Sequence, residues 1–208
     1  MLPNRMRSGS IHAPGWARLD AVILMQQLTD PECVSLCQKG KPDAFDELVR
    51  RYQDRLYRFI LRMVGSREEA LELTQDTLLK AFQGLSQWRP EALFRTWLFQ
   101  IASNTAIDSL RQRKRMNNIS IDEQHDLADH CAGPERLLYI SEQCQNLEQA
   151  LDKLPHDFCQ VLLLREFEEM SYSEIAETLN INVGTVKSRL ARGRTMLLAL
   201  CRRDEEKE

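Results

Sequence analysis

The chain has 208 residues, of which 43% are hydrophobic and 28% are charged, and its formal net charge is −3. This length suits one large domain or two small ones, and the apolar content is enough to form buried cores. A net charge so close to zero does not exclude nucleic-acid binding, because basic residues concentrate locally at 111–115 and 187–194.

The six cysteines contain no C-x-x-C pair. We expect reduced thiols that mostly behave as small buried apolar residues, with neither a metal ion nor a cofactor. A metal or redox site at Cys33 and Cys37, or at His130 and Cys131, is the minor alternative, because zinc ligands usually show tighter paired spacing.

Residues 1–28 are predicted to form a disordered N-terminal extension. Gly9, Pro14 and Gly15 disfavour a helix, and the apolar run 21–25 is too short for a signal-peptide core or a membrane span. We therefore expect a cytoplasmic protein with no segment inserted in a membrane. A further hypothesis is that translation starts at Met25, just before the helical pattern begins.

Residues 29–115 show helical periodicity and predict an antiparallel bundle. The first long helix ends at Gly65, and its apolar stripe is Leu48, Tyr52, Leu56, Ile60 and Val64. The second ends at Leu85, and its inner positions are Ala70, Leu73, Thr77, Ala81 and Phe82. The third runs from about 93 to 113, and its inner face is Phe94, Trp97, Leu98, Ile101 and Thr105.

Two surfaces of this bundle carry opposite charge. The second helix has an acidic outer side, formed by Glu68, Glu69, Glu72, Gln75 and Asp76. The third helix has an outer stripe of Asn104, Asp108, Arg111 and Arg115, in which Arg111 is expected to pair with Asp108 and orient it. Opposite charges in one small bundle suggest two partners, DNA and a basic protein surface. The competing interpretation is that the basic residues only complement the helix dipole.

Residues 116–138 are predicted to form a flexible acidic linker. Within 117–143 there are six acidic residues and one arginine, a net charge of −5, and Gly133-Pro134 interrupts the segment. The chain is therefore predicted to be all-α, with two small helical domains joined by this linker. The second domain, residues 139–203, begins with two apolar helical patterns: Leu147, Ala150, Leu151 and Leu154, then Phe158, Val161, Leu162, Arg165 and Phe167.

Residues 171–200 have the layout of a helix-turn-helix motif. Ser171 and Glu174 have the spacing of a capping box, and Asn182 is placed to cap the next helix. The inner positions of that helix are Val183, Val186, Leu190 and Leu197, and Ala176 and Gly193 are small enough for close helix crossing. Its outer positions carry hydroxyl and basic groups suited to base edges and phosphates. They are Thr185, Lys187, Ser188, Arg189 and Arg192.

Two stretches of the chain resemble the extracytoplasmic-function (ECF) sigma factors of the sigma-70 family. The first comprises AFDELVRRY at 44–52, ALELTQ at 70–75, TWLFQIASN at 96–104 and IDSLR at 107–111. The second comprises Leu154-Pro155, SYSEIA at 171–176 and VGTVKSR at 183–189. Both motif sets, in this order and spacing, make the resemblance specific and extend it from about residue 43 to 200.

The resemblance implies a non-enzymatic protein that binds core RNA polymerase and promoter DNA and promotes DNA melting, with stress or envelope-response genes as the expected targets. The polymerase would be contacted through its largest-subunit clamp coiled coil, by Glu72, Leu73, Gln75 and Asp76, and through the flap of its second-largest subunit. The minus-ten element would be bound by Trp88, placed in an exposed loop, and by Arg95, Asn104, Arg111, Arg113, Lys114 and Arg115. The minus-thirty-five element would be read by Thr185, Lys187, Ser188, Arg189 and Arg192.

Family members are commonly held by a membrane-anchored anti-sigma factor, so such a partner is expected and could hold this protein at the inner membrane.

Two positions depart from the family pattern. Leu71 precedes Glu72 where a second acidic residue is usual, and Arg89-Pro90 follows Trp88 where a small residue is common.

The alternative is a helix-turn-helix regulator that binds palindromic operators as a dimer without polymerase. It is disfavoured because the N-terminal bundle carries its own basic helix and no obvious self-complementary apolar face. An enzyme is less favoured still, because the four histidines, which lie in the tail, the linker and a helix start, form no plausible catalytic pair with a nucleophile, and the sequence has no glycine-rich phosphate loop.

Overall fold

A computed structural model describes residues 27–117, 147, 149–151 and 153–205, and the regular structure in these residues is helical. The chain divides into two compact units, one ending at Leu48 and the other beginning at Val49. The predicted extension 1–28 and linker 116–138 lie almost wholly outside the described residues, so their limits stay predictions. None of the described helices is long and apolar enough to cross a membrane.

The first unit contains helix α1, Asp30–Gln38, which has a proline in its first turn. The Glu32 carboxylate accepts a hydrogen bond from the backbone amide of Thr29 at 2.7 Å, which satisfies one of the free amides at the helix start. Cys33 is fully buried and Cys37 is half-buried. Burial is the main reason why the pKa of Cys37 lies above its ordinary value, so this thiol is not activated.

Helix α2, Asp43–Val64, has the apolar stripe that the sequence predicted. All five predicted stripe positions are buried: Leu48, Tyr52, Leu56, Ile60 and Val64. The helix ends where the sequence predicted, because Gly65 follows with a φ of +74°, a backbone conformation that glycine adopts without the cost a Cβ would add.

Helices α3, Arg67–Gly84, and α4, Phe94–Asn117, pack against each other, and a short 3₁₀ turn, Leu85–Gln87, follows α3. We call residues 49–117 the N-terminal bundle. Its centre includes Phe99, which meets Phe59 of α2 edge to face at 5.4 Å. Thr74 and Thr77 are buried in α3, and their hydroxyls donate to backbone carbonyls one turn earlier.

The predicted inner faces of α3 and α4 need two corrections. Phe82 is 43% exposed instead of facing inward, because the buried side of α3 runs through Ala70, Thr74, Thr77 and Ala81. Trp97 and Ile101 are only half-buried. The buried side of α4 is centred on Leu98, Phe99, Ala102 and Ala106, so the true face is rotated by roughly one residue, or about 100°.

The C-terminal domain, residues 147–205, contains α5 (His156–Glu166), α6 (Tyr172–Leu179) and α7 (Val183–Glu205). Helix α5 packs against both α6 and α7, and six consecutive residues from Cys159 to Leu164 are buried. A Cβ atom at Gly193 would lie 3.1 Å from Leu162 Cδ1, so the predicted close crossing of α7 on α5 is confirmed. Val183 is predicted to face inward but is exposed, because it occupies the first position of α7.

Candidate nucleic-acid interface

The helix-turn-helix is built from local hydrogen bonds that the sequence predicted. Ser171 Oγ accepts from the Glu174 amide at 3.2 Å, and the Glu174 carboxylate accepts from the Ser171 amide at 2.8 Å. The turn begins at Asn180, which adopts the left-handed conformation (φ 52°). Asn182 Oδ1 then accepts from the Thr185 amide at 2.7 Å and caps α7.

The residues predicted on the outer face of α7 differ in exposure and in their contacts. Lys187, Ser188 and Arg192 are exposed. Thr185 is half-buried, and its hydroxyl donates to Asn182 Oδ1 at 3.0 Å. Arg189 forms an ion pair with Asp157 at 2.8 Å, so a base or phosphate would have to replace an acidic partner in order to bind this guanidinium.

The outer stripe of α4 is exposed along its length. Asn104, Asp108, Arg111 and Arg115 all face solvent, and Lys114 is exposed beside them. The expected pairing of Arg111 with Asp108 is present at 3.5 Å. Both side chains are well exposed, so this ion pair is weak and leaves the guanidinium available to DNA phosphates.

The side chain of Arg113 points toward the end of α2 and the start of α3 instead of toward solvent. Its Nη1 and Nη2 donate to the carbonyl of Val64 at 3.2 and 3.3 Å, and its guanidinium lies 3.4 Å from the Glu69 carboxylate. An arginine that binds the last carbonyl of a helix complements that end of the helix dipole. Arg113 therefore fastens the end of α2 to α4, and its predicted contact with DNA stays a prediction.

The loop before α4 differs most from the expectation. Trp88 is predicted to lie in an exposed loop, but it is only 6% exposed, because its ring packs edge to face on Phe94 with a centroid distance of 6.3 Å. Arg95 is half-buried, forms an ion pair with Glu174 of α6, and donates to the carbonyl of Glu168 at 3.3 Å. Trp88 in this loop and Arg95 at the start of α4, both predicted to bind the minus-ten element, are thus engaged within the protein.

The acidic outer face of α3 carries an apolar line that the sequence prediction missed. Glu72, Gln75 and Asp76 are exposed as predicted, and Leu73 is half-buried. Leu71, Leu79 and Phe82 are also exposed, and with Gln75 their spacing of four, eight and eleven residues places them on one side of the helix. That spacing is visible in the sequence, but the apolar pattern assigns Phe82 to the core. Acidic and apolar groups together suit a protein partner.

The protonation of the Glu174 carboxylate is set by its hydrogen bonds. Burial by itself would raise its pKa, but hydrogen bonds from the backbone and side chain of Ser171 and the Arg95 guanidinium together lower it below the ordinary value. Glu174 is therefore ionised at neutral pH, and it caps α6 and binds Arg95 at the same time.

Comparison with known proteins gives matches over both halves of the chain. The model of Sigma-70 region 2 matches residues 48–116, and that of Sigma-70, region 4 matches residues 144–197. The ECF RNA polymerase sigma factor SigE of Mycolicibacterium smegmatis is 36% identical over 155 residues, which cover 74% of this chain and 60% of that protein. The RNA polymerase sigma-H factor of Pseudomonas aeruginosa is 35% identical over 180 residues, which cover 82% of this chain and 93% of that protein.

One similar solved structure is the sigma factor RpoE of Bartonella quintana in complex with the anti-sigma factor NepR. It is 27% identical with a TM-score of 0.65, and the match covers 76% of this chain and 96% of that one.

Proposed function

The chain belongs to the ECF sigma factors of the sigma-70 family, and from that premise we propose that it directs core RNA polymerase to promoters of stress or envelope-response genes. It recognises the minus-thirty-five and minus-ten elements and promotes melting of the DNA. The observation that carries this proposal is the presence of two separate basic, outward-facing helices in one chain, α4 and α7. An operator-binding regulator needs only the second of them.

Helix α7 reads the minus-thirty-five element in the major groove. Its start is fixed by the Asn182 cap and its inner side by Val186 and Leu190, which are buried. Arg192 and Lys187 are exposed on the outer side, where a guanidinium can hold guanine by two hydrogen bonds and an ammonium can hold a phosphate.

The exposed stripe of α4 binds the minus-ten element. Asn104 can pair with an adenine edge, and Arg111, Lys114 and Arg115 can hold the phosphates. Melting requires that a base leave the stack, at a cost of a few kcal/mol, and stacking on an aromatic ring can offset about 1–3 kcal/mol of this cost. Trp88 can take that role only after its ring leaves Phe94, so base capture at this position includes a rearrangement of the loop.

Core polymerase binds the outer face of α3. Glu72, Gln75 and Asp76 supply acidic and amide groups for the clamp coiled coil of the largest subunit, and Leu71, Leu79 and Phe82 supply apolar contact. The C-terminal domain contacts the flap of the second-largest subunit.

Because one similar sigma factor was solved with an anti-sigma factor, we also propose an anti-sigma partner, which would hold this cytoplasmic protein at the inner membrane until a signal releases it.

In-vitro transcription with core RNA polymerase on a pool of genomic fragments tests this function. We expect new start sites that depend on the protein and share two upstream motifs. Absence of initiation, together with tight binding of the protein alone to palindromic DNA, would establish the regulator instead.

Two variants assign the surfaces, and each has a matched control. Asp76→Arg should abolish retention of the protein by core polymerase, whereas Glu177→Arg, the same charge reversal on an exposed site of α6, should not. Arg192→Ala should lower transcription from promoters with an intact minus-thirty-five motif, whereas Arg202→Ala, farther along the same helix, should not.

A further inference from the structure

A small cavity lies between α2 and the end of α5, and none of its lining residues belongs to the proposed DNA or polymerase contacts. Its volume is about 240 Å³. Helix α2 contributes three arginines to the wall, Arg55, Arg58 and Arg62. Cavities that enclose drug-sized ligands measure roughly 300–1,000 Å³, so this one suits a small molecule or one end of a larger one.

The charge of the cavity wall is positive. The three arginines follow one another at spacings of three and four residues, which places them on one side of α2. The lining residues include one carboxylate, Glu168, whose Oε2 accepts from Arg55 Nε at 2.9 Å and Nη2 at 2.5 Å. This pair neutralises Arg55. Three positive charges and one negative charge leave the wall with a formal charge of +2.

The other two arginines have no acidic partner among the described residues. Arg58 is exposed. Arg62 is half-buried, and its Nη1 donates to the carbonyl of Arg58 at 3.2 Å. Within the part of the chain that the structure describes, its buried Nε has no hydrogen-bond partner, which is costly and rare in folded proteins. Because the charge of a guanidinium is delocalised, an anion bound to its Nη groups would offset a charge that the protein leaves unpaired.

Apolar side chains form the rest of the wall. The guanidinium carbon of Arg62 lies 4.4 Å from the centre of the Phe167 ring, a cation–π contact that orients the arginine. The Phe167 ring is nevertheless 49% exposed, so part of it remains open to a ligand. Phe59 and Leu163 also line the cavity and are buried. The cavity therefore offers an apolar surface beside two uncompensated guanidinium groups.

Hydrogen bonds fix the loop that follows α5 and carries Phe167. The amides of Phe167 and Glu168 donate to the carbonyl of Leu163 at 3.0 and 3.2 Å. Glu169 adopts a left-handed conformation, with a φ of +53°, which is uncommon for a residue other than glycine. Strained residues of this kind cluster at ligand-binding sites. A wall that is already ordered lowers the cost of binding a ligand.

We propose that this cavity binds a small phosphate monoester that carries an apolar or aromatic group. A phosphate monoester has a charge of about −1.5 to −2 at pH 7, which matches the +2 of the wall. Guanidinium groups hold phosphate oxygens by pairs of parallel hydrogen bonds, and Arg58 and Arg62 supply them. The apolar group of the ligand contacts Phe167. The competing interpretation is that Arg58 is only solvated and Arg62 only packs on Phe167. The proposal goes beyond the proposed function and does not depend on it.

Isothermal titration calorimetry of the full chain with phenyl phosphate, in a buffer free of phosphate, tests the proposal. We expect saturable binding of one molecule per chain. Arg58→Gln should weaken this binding about tenfold, because it removes hydrogen bonds to a charged group. Since Arg58 is exposed and has no acidic partner among the described residues, this variant should fold normally. Arg202→Gln, the matched control, removes the same charge from an exposed site near the end of α7 and should leave the affinity unchanged.

The apolar part of the site has its own readout. Inorganic phosphate should bind the wild type more weakly than phenyl phosphate, and Phe167→Ala should reduce the difference between the two ligands. Equal affinity of the wild type for both would overturn the apolar part of the proposal.

Two outcomes would overturn the site as a whole. One is the absence of saturable binding of phenyl phosphate by the wild type, or equal affinities in Arg58→Gln and Arg202→Gln. The other is a loss of affinity for duplex DNA in Arg58→Gln but not in Arg202→Gln, which would assign this arginine to nucleic acid. The titrations need neither polymerase nor a promoter, so failure of the proposed function would leave their result unaffected.

Discussion

Replacement of Ser171 by alanine tests the capping of the helix-turn-helix. Ser171 Oγ accepts a hydrogen bond from the Glu174 amide at 3.2 Å, and alanine removes that acceptor. The reciprocal bond, from the Ser171 amide to the Glu174 carboxylate at 2.8 Å, uses the backbone and survives the substitution. One of the two hydrogen bonds of the capping box is therefore lost, and the Glu174 amide must donate to water instead.

The expected loss of stability follows from the geometry of the capping box. Substitution of a serine cap by alanine costs about 0.5–2 kcal/mol, and because this site is exposed to water we expect about 1 kcal/mol in the free energy of unfolding. For a compact unit that runs from Val49 to Glu208, this corresponds to a decrease in melting temperature of roughly 2–4 °C. Ser171→Asp should restore most of the stability, because aspartate is an equally good cap and its charge suits the start of a helix.

Urea denaturation of the full chain, followed by circular dichroism, measures this difference. The matched control is Ser173→Ala, which removes a hydroxyl from an exposed position in the same helix. Alanine has the higher helix propensity there, so this control should be neutral or slightly stabilising. If Ser171→Ala and Ser173→Ala unfold at the same urea concentration, the capping box does not stabilise the helix and the reasoning fails.

Three further predictions concern DNA binding, packing and pH. Lys187→Ala should lower the magnitude of the slope of log affinity against log salt by about 0.9, with the base preference unchanged, as measured by fluorescence anisotropy with promoter DNA. Gly193→Val should lower the free energy of unfolding by about 1–3 kcal/mol in urea, because even a Cβ there would lie 3.1 Å from Leu162. Although burial opposes it, hydrogen bonds from Arg95 and the backbone hold the pKa of Glu174 below 4.5, so its contribution to stability is present above that pH and is lost as the pH falls. Glu174→Gln should accordingly lose less stability than the wild type between about pH 5 and pH 3 in urea titrations.

Features with a local cause could be predicted from the sequence. The capping box needs only Ser171 and Glu174 three residues apart, and the end of α2 needs only Gly65. The pairing of Arg111 with Asp108 follows from their spacing on one helix. Residue type and spacing along the chain were therefore enough to predict the motif, the helix order and the exposed basic stripe of α4.

Features that depend on packing were not predictable in the same way. The pattern around Trp88 resembles an exposed loop, but the ring is covered by Phe94 because the chain turns back on itself there. Arg55 and Glu168 are 113 positions apart, and no periodicity connects them. An inner face can also be misassigned by one position when a helix has apolar residues on two sides, as α3 does with Phe82.

The arginines predicted to bind DNA differ in what would have to change before they could do so. Arg111, Arg115 and Arg192 are exposed, so phosphates can reach them directly. Arg113 is bound to the carboxylate of Glu69 and the carbonyl of Val64, which belong to its own bundle. Among the arginines of α4 that are predicted to bind DNA, Arg95 alone contacts acidic and carbonyl groups that belong to the C-terminal domain. Of the four arginines predicted in α4 to bind DNA, Arg95 is therefore the one that would have to release partners in the C-terminal domain before it could do so, whereas Arg111 and Arg115 would not.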